Sequence, residues 1–129
     1  MSYVLFFDGC AKGNPGFAGS GAVMYKDDKE IWSRSEYLEK QTNNYAEYCG
    51  LIMGLQYAVE KEIKNLIVNG DSMLVIKQMT GAYKVNSPNL IKLYNEAMKL
   101  KAQFDTINFQ HVYREDNKRA DELANELVQ

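Results

Sequence analysis

The length, composition and charge of the chain set the first limits on its structure and function. With 129 residues, 46% of them hydrophobic and 12% aromatic, the chain is predicted to fold as one domain around a hydrophobic core. No apolar run approaches the length of a membrane span, and the start MSYVLFF lacks the basic region and cleavage site of a signal peptide. We therefore expect a cytoplasmic protein that does not enter a membrane. The two cysteines, Cys10 and Cys49, fit neither a disulfide framework nor a zinc site.

The first part of the chain has the pattern of three antiparallel strands. Residues 3 to 8, about 19 to 26 and about 30 to 38 alternate or run apolar, and KDDK forms a tight connection between the second and the third. After the first strand comes DGCAKGNPGFAG, which is predicted to be a glycine-rich loop that lets a backbone pass close to a bulky ligand. Asp8 is therefore expected at the mouth of the first strand. Its alternative role is to start a turn.

A helix and a fourth strand follow. The helix is predicted over about residues 44 to 62 and carries Glu47 in line with an apolar stripe; the strand covers residues 66 to 69. Because such crossovers are right-handed and join parallel strands, the fourth strand is expected beside the first, with Asp71 next to Asp8. Two alternatives stay open. Glu47 follows Asn44 at the spacing of a capping box, and Asp71 is also suited to be a helix N-cap.

The rest of the chain contains three more helices and a strand. A short helix starts at Ser72, the segment TGAYKVNS interrupts the pattern, and Ser87-Pro88 begins a helix that runs to about Phe104. A strand over about residues 106 to 113 precedes the final helix, whose first turn contains Asp121; the alternative role of this acid is to offset the helix dipole. The apolar faces of the two longer helices are formed by Leu90, Leu93, Tyr94, Ala97 and Leu100, and by Ala120, Leu123, Ala124 and Leu127.

Four carboxylates, Asp8, Glu47, Asp71 and Asp121, form the candidate metal site. They provide the ligands of a hard, oxygen-preferring divalent cation such as Mg²⁺. An ionised glutamate facing a core needs a neutralising partner, and a cation supplies one. The formal net charge is −2, but without these four residues the chain has 13 acidic and 15 basic residues. The overall acidity therefore does not exclude a polyanionic ligand.

Four segments of the chain resemble the signature segments of type 1 ribonucleases H. They are DGCAKGNPG, TNNYAE, the Asp71-Ser72 pair before a helix, and HVYREDNKRADELAN, in the family's order and spacing over nearly all of the chain. The resemblance implies an α/β fold of the ribonuclease H type, with a five-stranded mixed sheet flanked by helices in the order βββαβααβα. It also implies endonucleolytic hydrolysis of the RNA strand of RNA–DNA hybrids by two Mg²⁺ ions, with Mn²⁺ as a substitute, leaving 5′-phosphate and 3′-hydroxyl ends.

The resemblance also assigns roles to the carboxylates. Asp8 would lie between the two ions, Glu47 and Asp71 would complete the site near the leaving 3′ oxygen, and Asp121 would help to hold the ion that orients the attacking water. Two residues compete for the auxiliary role beside Asp121. His111 lies ten residues before it, at the family's spacing, and Arg114 lies seven before it. We favour Arg114, because His111 is expected to be held at the end of a strand.

Residues in the matching segments are expected to contact the substrate, because amides can read the 2′-hydroxyl groups that distinguish RNA from DNA. The candidates are Gly9, Asn14, Asn43, Asn44 and Gln78, with Thr42 and Asn86 at a phosphate of the DNA strand. The chain departs from the best-known relatives, which carry a basic, tryptophan-bearing handle where this chain has TGAYKVNS. With Lys84 as the cation there and Trp32 in an early strand, we expect fewer duplex contacts and weaker or more salt-sensitive binding.

The leading interpretation is thus a monomeric metal-dependent endoribonuclease without an obligate protein partner. One alternative is a catalytically idle module that binds hybrids, and the other is a domain of a reverse-transcriptase polyprotein. The four carboxylates argue against the idle module, because a non-catalytic domain gains nothing from their mutual repulsion.

Overall fold

The computed structural model describes residues 2–128, which form one five-stranded mixed sheet with helices on both faces. The strands are β1 (Tyr3–Lys12), β2 (Gly16–Lys26), β3 (Lys29–Gln41), β4 (Asn65–Gly70) and β5 (Thr106–His111), and the α-helices are α1 (Asn43–Glu60), α2 (Met73–Met79), α3 (Pro88–Lys101) and α4 (Lys118–Glu126). A single 3₁₀ turn, Arg114–Asp116, precedes α4 within the same described range. The strand order is β3-β2-β1-β4-β5. The predicted fold class and element order are confirmed.

The two faces of the sheet are covered unequally. The main core lies between the sheet and α1, α2 and α3, and it includes Leu5 and Phe7 of β1 and Leu51 and Leu55 of α1. A smaller cluster under α4 joins Val23 to Ala120 and Leu123. Alternate residues of a strand point to opposite faces of the sheet. Strands β1 and β2 have apolar residues at both odd and even positions, so each face of these strands packs against helices. Within residues 2–128, no helix is long and apolar enough to cross a membrane.

The predicted glycine-rich loop after Asp8 is wrong, because β1 continues through it. The strand pairs with β2 from Tyr3↔Lys26 to Lys12↔Phe17, so the turn shrinks to residues 13 to 15 and Asp8 lies within the strand, opposite Gly21. The glycines serve close packing between helices and sheet. A Cβ on Gly9 would stand 2.3 Å from the carbonyl carbon of Ala46 in α1, and one on Gly19 would stand 2.3 Å from the carbonyl oxygen of Ala124 in α4.

Helix capping removes two of the alternatives raised by the sequence. The N-cap of α1 is Thr42, whose Oγ1 accepts a hydrogen bond from the Tyr45 N–H at 3.2 Å. The N-cap of α2 is Ser72, whose Oγ accepts from the Val75 N–H at 3.3 Å. The capping-box interpretation of Glu47 and the N-cap interpretation of Asp71 are therefore wrong. Both carboxylates are left available for another role.

Several element ends differ from the predictions for local reasons. Helix α3 ends at Lys101, because the amides of Gln103 and Phe104 bond three residues back and tighten the last turn. Strand β5 ends at His111, two residues early, where the chain turns toward the 3₁₀ segment. Leu127 was predicted in the buried face of the last helix, but it lies after the end of α4 and is 48% exposed.

Candidate active site

The topology brings three acidic side chains to one edge of the sheet. Strand β4 runs parallel to β1 in the register Phe7↔Gly70, so the next residues along the two strands, Asp8 and Asp71, are neighbours as predicted. Glu47 lies on helix α1. Because Gly9 has no side chain, the backbone of α1 can pack close to β1 at this point. One oxygen from each of Asp8, Glu47 and Asp71 lies within 4.8 Å of the others.

Burial makes this triad of Asp8, Glu47 and Asp71 costly without a cation. Asp8 is 4% exposed and Glu47 is 8% exposed. Burial, and then the charge of Asp71, raises the pKa of Asp8 from 3.8 to about 8, although the Gly9 N–H donates to its Oδ1 at 2.9 Å and opposes the shift. Burial, followed by the charges of Asp8 and Asp71, holds the pKa of Glu47 well above its usual range. The three groups cannot all be ionised near neutral pH unless positive charge is added.

The donor atoms fit a divalent cation that prefers oxygen. Within residues 2–128, the buried Oε1 of Glu47 has no hydrogen-bond partner, which is unusual for a buried carboxylate oxygen. A cation bound among three carboxylates would satisfy that atom and neutralise the cluster. The residues present therefore suit a Mg²⁺-type site better than an internal hydrogen-bonded network.

A cleft of about 510 Å³ opens over the triad and adds the remaining predicted catalytic residues. The charge of Asp121, in the first turn of α4, also raises the pKa of Asp8. The Arg114 guanidinium lies 4.0 Å from the Asp121 carboxylate, and its side chain is 81% exposed. His111 closes β5, with its ring edge-on to Tyr113 at 5.8 Å between centroids. Asp121, Arg114, His111 and Tyr113 all line the cleft.

Comparisons with known proteins agree with this fold and site. The sequence model of a family described as "Reverse transcriptase-like" matches residues 6–127. The solved structure of RNase H1 from Halobacterium salinarum superposes with a TM-score of 0.93 at 38% identity, covering 99% of this chain and 98% of that one. The chain belongs to the ribonuclease H family.

Three further comparisons place this ribonuclease H domain in context. A bifunctional protein of Mycobacterium tuberculosis is 44% identical, and the match covers 99% of this chain and 36% of that protein. Ribonuclease HI of Halobacterium salinarum is 41% identical, and the match covers 95% of this chain and 62% of that protein. The chain thus spans only part of both curated relatives. LC11-RNase H1, solved in complex with an RNA/DNA hybrid, has a TM-score of 0.91 at 34% identity, covering 98% of this chain and 96% of that one.

The residues expected to contact substrate in this ribonuclease H domain fall into two groups. Gly9 and Asn43 line the cleft. Asn43 Oδ1 accepts from the Ala11 N–H at 2.7 Å, and its own N–H donates to Asn14 Oδ1 at 3.0 Å, so the two asparagines tie the β1–β2 hairpin to the start of α1. Thr42 and Asn44 flank Asn43 at the same helix start.

Gln78 and Asn86 lie away from the cleft. Gln78 is 4% exposed; its Oε1 accepts from the Tyr48 hydroxyl at 2.6 Å, and its Nε2 donates to the Lys84 carbonyl at 3.4 Å. These bonds make Gln78 an internal support of the segment after α2. Asn86 is exposed in a separate depression beside Tyr83, Lys84 and Tyr94.

Four residues that the sequence interpretation did not single out also line the cleft: Ala11, Lys12, Tyr113 and Asn125. The glycine-rich pattern predicts a loop at Lys12, whereas the structure places this residue at the end of β1. Asn125 follows Asp121 by four residues on α4, a spacing that places both on one helix face and was a usable signal. Asn117 is 1% exposed, and its Nδ2 donates to the Phe7 carbonyl at 3.0 Å, which anchors the start of α4 next to Asp8.

Proposed function

We propose that this chain is a metal-dependent endoribonuclease that hydrolyses the RNA strand of RNA–DNA hybrids and leaves 5′-phosphate and 3′-hydroxyl ends. The observation that carries the proposal is the triad of Asp8, Glu47 and Asp71, whose three clustered carboxylates need a cation to neutralise them. Within the described residues 2–128, the buried Oε1 of Glu47 has no hydrogen-bond partner and is available to bind such a cation. The hybrid complex of LC11-RNase H1, which covers 98% of this chain, supports the substrate.

The metal is expected to be Mg²⁺, bound as two ions, with Mn²⁺ as a substitute. Glu47 and Asp71 would hold one ion and Asp121 would help to hold the other, with Asp8 between them. When bound, two such ions supply a nucleophile at neutral pH and stabilise the charge that develops on the leaving oxygen. The protein is expected to act as a monomer in the cytoplasm.

The protein's own residues bind and orient the substrate around this centre. The exposed Arg114 side chain extends from the 3₁₀ turn at the cleft and can reach a phosphate, for which its permanent charge is suited. Asn43 and Asn44 stand at the start of α1, beside the triad, where side-chain amides can bond 2′-hydroxyl groups. The buried positions of Asp8 and Glu47 exclude bulk water from the inner side of the cleft.

The decisive experiment uses a hybrid labelled on each strand in turn, incubated with Mg²⁺, Mn²⁺ or a chelator. Cleavage of the RNA strand alone is expected with either cation and not with the chelator. The matching RNA and DNA duplexes, and a hybrid with 2′-deoxy nucleotides around the cut, serve as substrate controls, and Glu47→Gln serves as the protein control. Equal cleavage of the DNA duplex would indicate a generic nuclease. Tight hybrid binding without cleavage under every metal condition would support the idle binding module.

A further inference from the structure

Asn125 connects Asp121, the fourth carboxylate, to the ammonium group of Lys12. Its Nδ2 donates to the Asp121 carbonyl at 2.8 Å and to Asp121 Oδ1 at 3.3 Å. Its Oδ1 accepts from Lys12 Nζ at 3.1 Å. The chain Lys12–Asn125–Asp121 thus joins the end of β1 to the candidate metal centre, and all three residues line the cleft.

The chemistry of the two neighbours fixes the orientation of the Asn125 amide. A lysine ammonium can only donate hydrogen bonds, and an ionised carboxylate can only accept them. An asparagine between them satisfies both in one orientation only, with its oxygen toward Lys12 and its nitrogen toward Asp121. Lys12 therefore keeps the donor side of Asn125 aimed at the carboxylate. Aspartate at position 125 would repel Asp121, and an apolar residue would bond to neither neighbour.

The backbone beneath Asn125 is held firmly against the sheet. The carbonyl oxygen of the preceding residue, Ala124, accepts from Cys10 Sγ at 3.4 Å and lies where a Cβ on Gly19 would stand only 2.3 Å away. The start of α4 is fixed by the bond from Asn117 Nδ2 to the Phe7 carbonyl. The helix backbone is therefore set by contacts with β1 and β2, and the side chain of Asp121 is the part that these backbone contacts do not hold.

Asn125 is better placed than Arg114 to give Asp121 a fixed conformation. The Asp121 side chain is 35% exposed, so packing alone does not fix its rotamer. Arg114 lies 4.0 Å from the carboxylate on a side chain that is 81% exposed, and exposed ion pairs of this kind add little. Asn125 is only partly exposed; its Nδ2 is anchored by the bond to the Asp121 carbonyl at 2.8 Å and from there donates to the Asp121 carboxylate at 3.3 Å.

We propose that Asn125 is a positioning residue for Asp121, with Lys12 orienting its amide, and that it holds the fourth carboxylate in the conformation that binds a divalent cation. This inference rests on the proposed ribonuclease H function. In this proposal Lys12 orients the Asn125 amide. The competing role for Lys12 is direct binding of a substrate phosphate.

The first test removes the amide with Asn125→Ala and restores a longer amide with Asn125→Gln. Partners of metal-binding side chains typically contribute about 10- to 100-fold to metal affinity or activity. We expect Asn125→Ala to lower the Mn²⁺ affinity measured by calorimetry, and kcat, within that range, with the KM for hybrid unchanged. Asn125→Gln should recover part of both losses. The matched control is Asn108→Ala, an exposed position of β5 outside the cleft; it should behave as wild type.

The second test asks whether Lys12 acts through Asn125. Lys12→Met should lower kcat in the wild-type background and add nothing in the Asn125→Ala background, because a residue that acts through a partner has no effect once the partner is gone. A rise in the KM for hybrid that is equal in both backgrounds would instead make Lys12 a phosphate contact and overturn its orienting role. Unchanged Mn²⁺ affinity and kcat in Asn125→Ala would overturn the whole inference. Calorimetry without substrate keeps it testable even if the wild type fails to cleave hybrids, which would refute the proposed function separately.

Discussion

At the scale of single residues, Asp8 makes the metal-free protein sensitive to pH. Its pKa is raised from 3.8 to about 8, so between these values the folded protein keeps a proton that the unfolded chain releases. Stability from this group is fully present below pH 3.8 and is lost as the pH rises through about 8. Glu47, whose pKa is also raised, acts in the same direction. Raising the pH should therefore destabilise the protein unless a cation is bound.

The first prediction concerns the unfolding temperature in the presence of a chelator. For the wild type it should fall between pH 5 and pH 8, and in Asp8→Asn the fall should be shallower, with the variant more stable than wild type at pH 8. Differential scanning calorimetry at the two pH values measures both slopes. Added Mg²⁺ should restore most of the wild-type loss. Parallel slopes for the two proteins would show that Asp8 does not carry the shifted pKa.

The second prediction concerns cleavage by the same variant. Asp8→Asn should abolish cleavage of the hybrid while leaving the fold intact, because a neutral amide loses most of the attraction for a cation. Asp71→Asn should behave in the same way, since its carboxylate shares the triad. Circular dichroism checks the fold, and the strand-labelled hybrid measures activity. Robust Mg²⁺-dependent cleavage by either variant would contradict the assignment.

The third prediction separates Arg114 from His111. The exposed Arg114 side chain can reach a phosphate from the 3₁₀ turn, whereas His111 lies at the end of β5 beside Tyr113. Arg114→Ala should reduce turnover at least about tenfold, equivalent to about 1.4 kcal/mol on the barrier. His111→Ala should act mainly on stability. The opposite assignment is indicated if His111→Ala loses turnover without losing stability while Arg114→Ala stays near normal.

At the scale of elements, the contact between β1 and α1 positions the triad. A methyl group at position 9 would stand 2.3 Å from the backbone of both Ala46 and Glu47. The helix would have to move away from the strand, and Glu47 would move with it. The distance between Glu47 and Asp8 therefore depends on a glycine that itself supplies no metal ligand.

The fourth prediction is that Gly9→Ala destabilises the protein by about 1–3 kcal/mol, the usual cost of overpacking, and weakens Mn²⁺ binding as well. Gly81→Ala is the matched control, because a Cβ there meets nothing within 4 Å and the cost comes only from its left-handed backbone, with φ +85°. The control should lose stability without losing Mn²⁺ affinity in calorimetry. Equal Mn²⁺ affinity in both variants would show that the β1–α1 contact does not set the site.

The elements that the sequence predicted correctly are those with a strong local pattern. Apolar alternation and the crossover rule were enough to place β4 beside β1 and so Asp71 beside Asp8. The sequence did not predict that β1 extends over Gly9 to Lys12, because small residues and glycines are locally typical of a loop. Glycines are needed in this sheet because α1 and α4 pack closely against it, and this tertiary contact has no local pattern. The bond between Lys12 and Asn125 joins residues that are 113 positions apart, and no local pattern predicts such a pair.

At the scale of the whole molecule, the charge distribution matters more than the net charge of −2. Apart from the four carboxylates Asp8, Glu47, Asp71 and Asp121, the chain has 13 acidic and 15 basic residues. Cations bound to the four carboxylates would therefore make the charge of the protein favourable for binding a polyanion. The segment that replaces the basic handle offers Lys84, exposed in a depression with Tyr83, Asn86 and Tyr94. The bond from Gln78 Nε2 to the Lys84 carbonyl fixes the backbone of this segment.

The fifth prediction concerns the salt dependence of hybrid binding. Each phosphate contact by a cation contributes about one unit to the slope of log affinity against log salt concentration. Lys84→Ala should therefore weaken binding and reduce the magnitude of that slope by about one unit. Lys29→Ala, at the exposed start of β3, should leave it unchanged. Binding is measured with a non-cleavable hybrid in Ca²⁺ over a series of salt concentrations. An unchanged slope in Lys84→Ala would mean that the hybrid does not reach this depression, and that duplex contacts are confined to the cleft around the carboxylates.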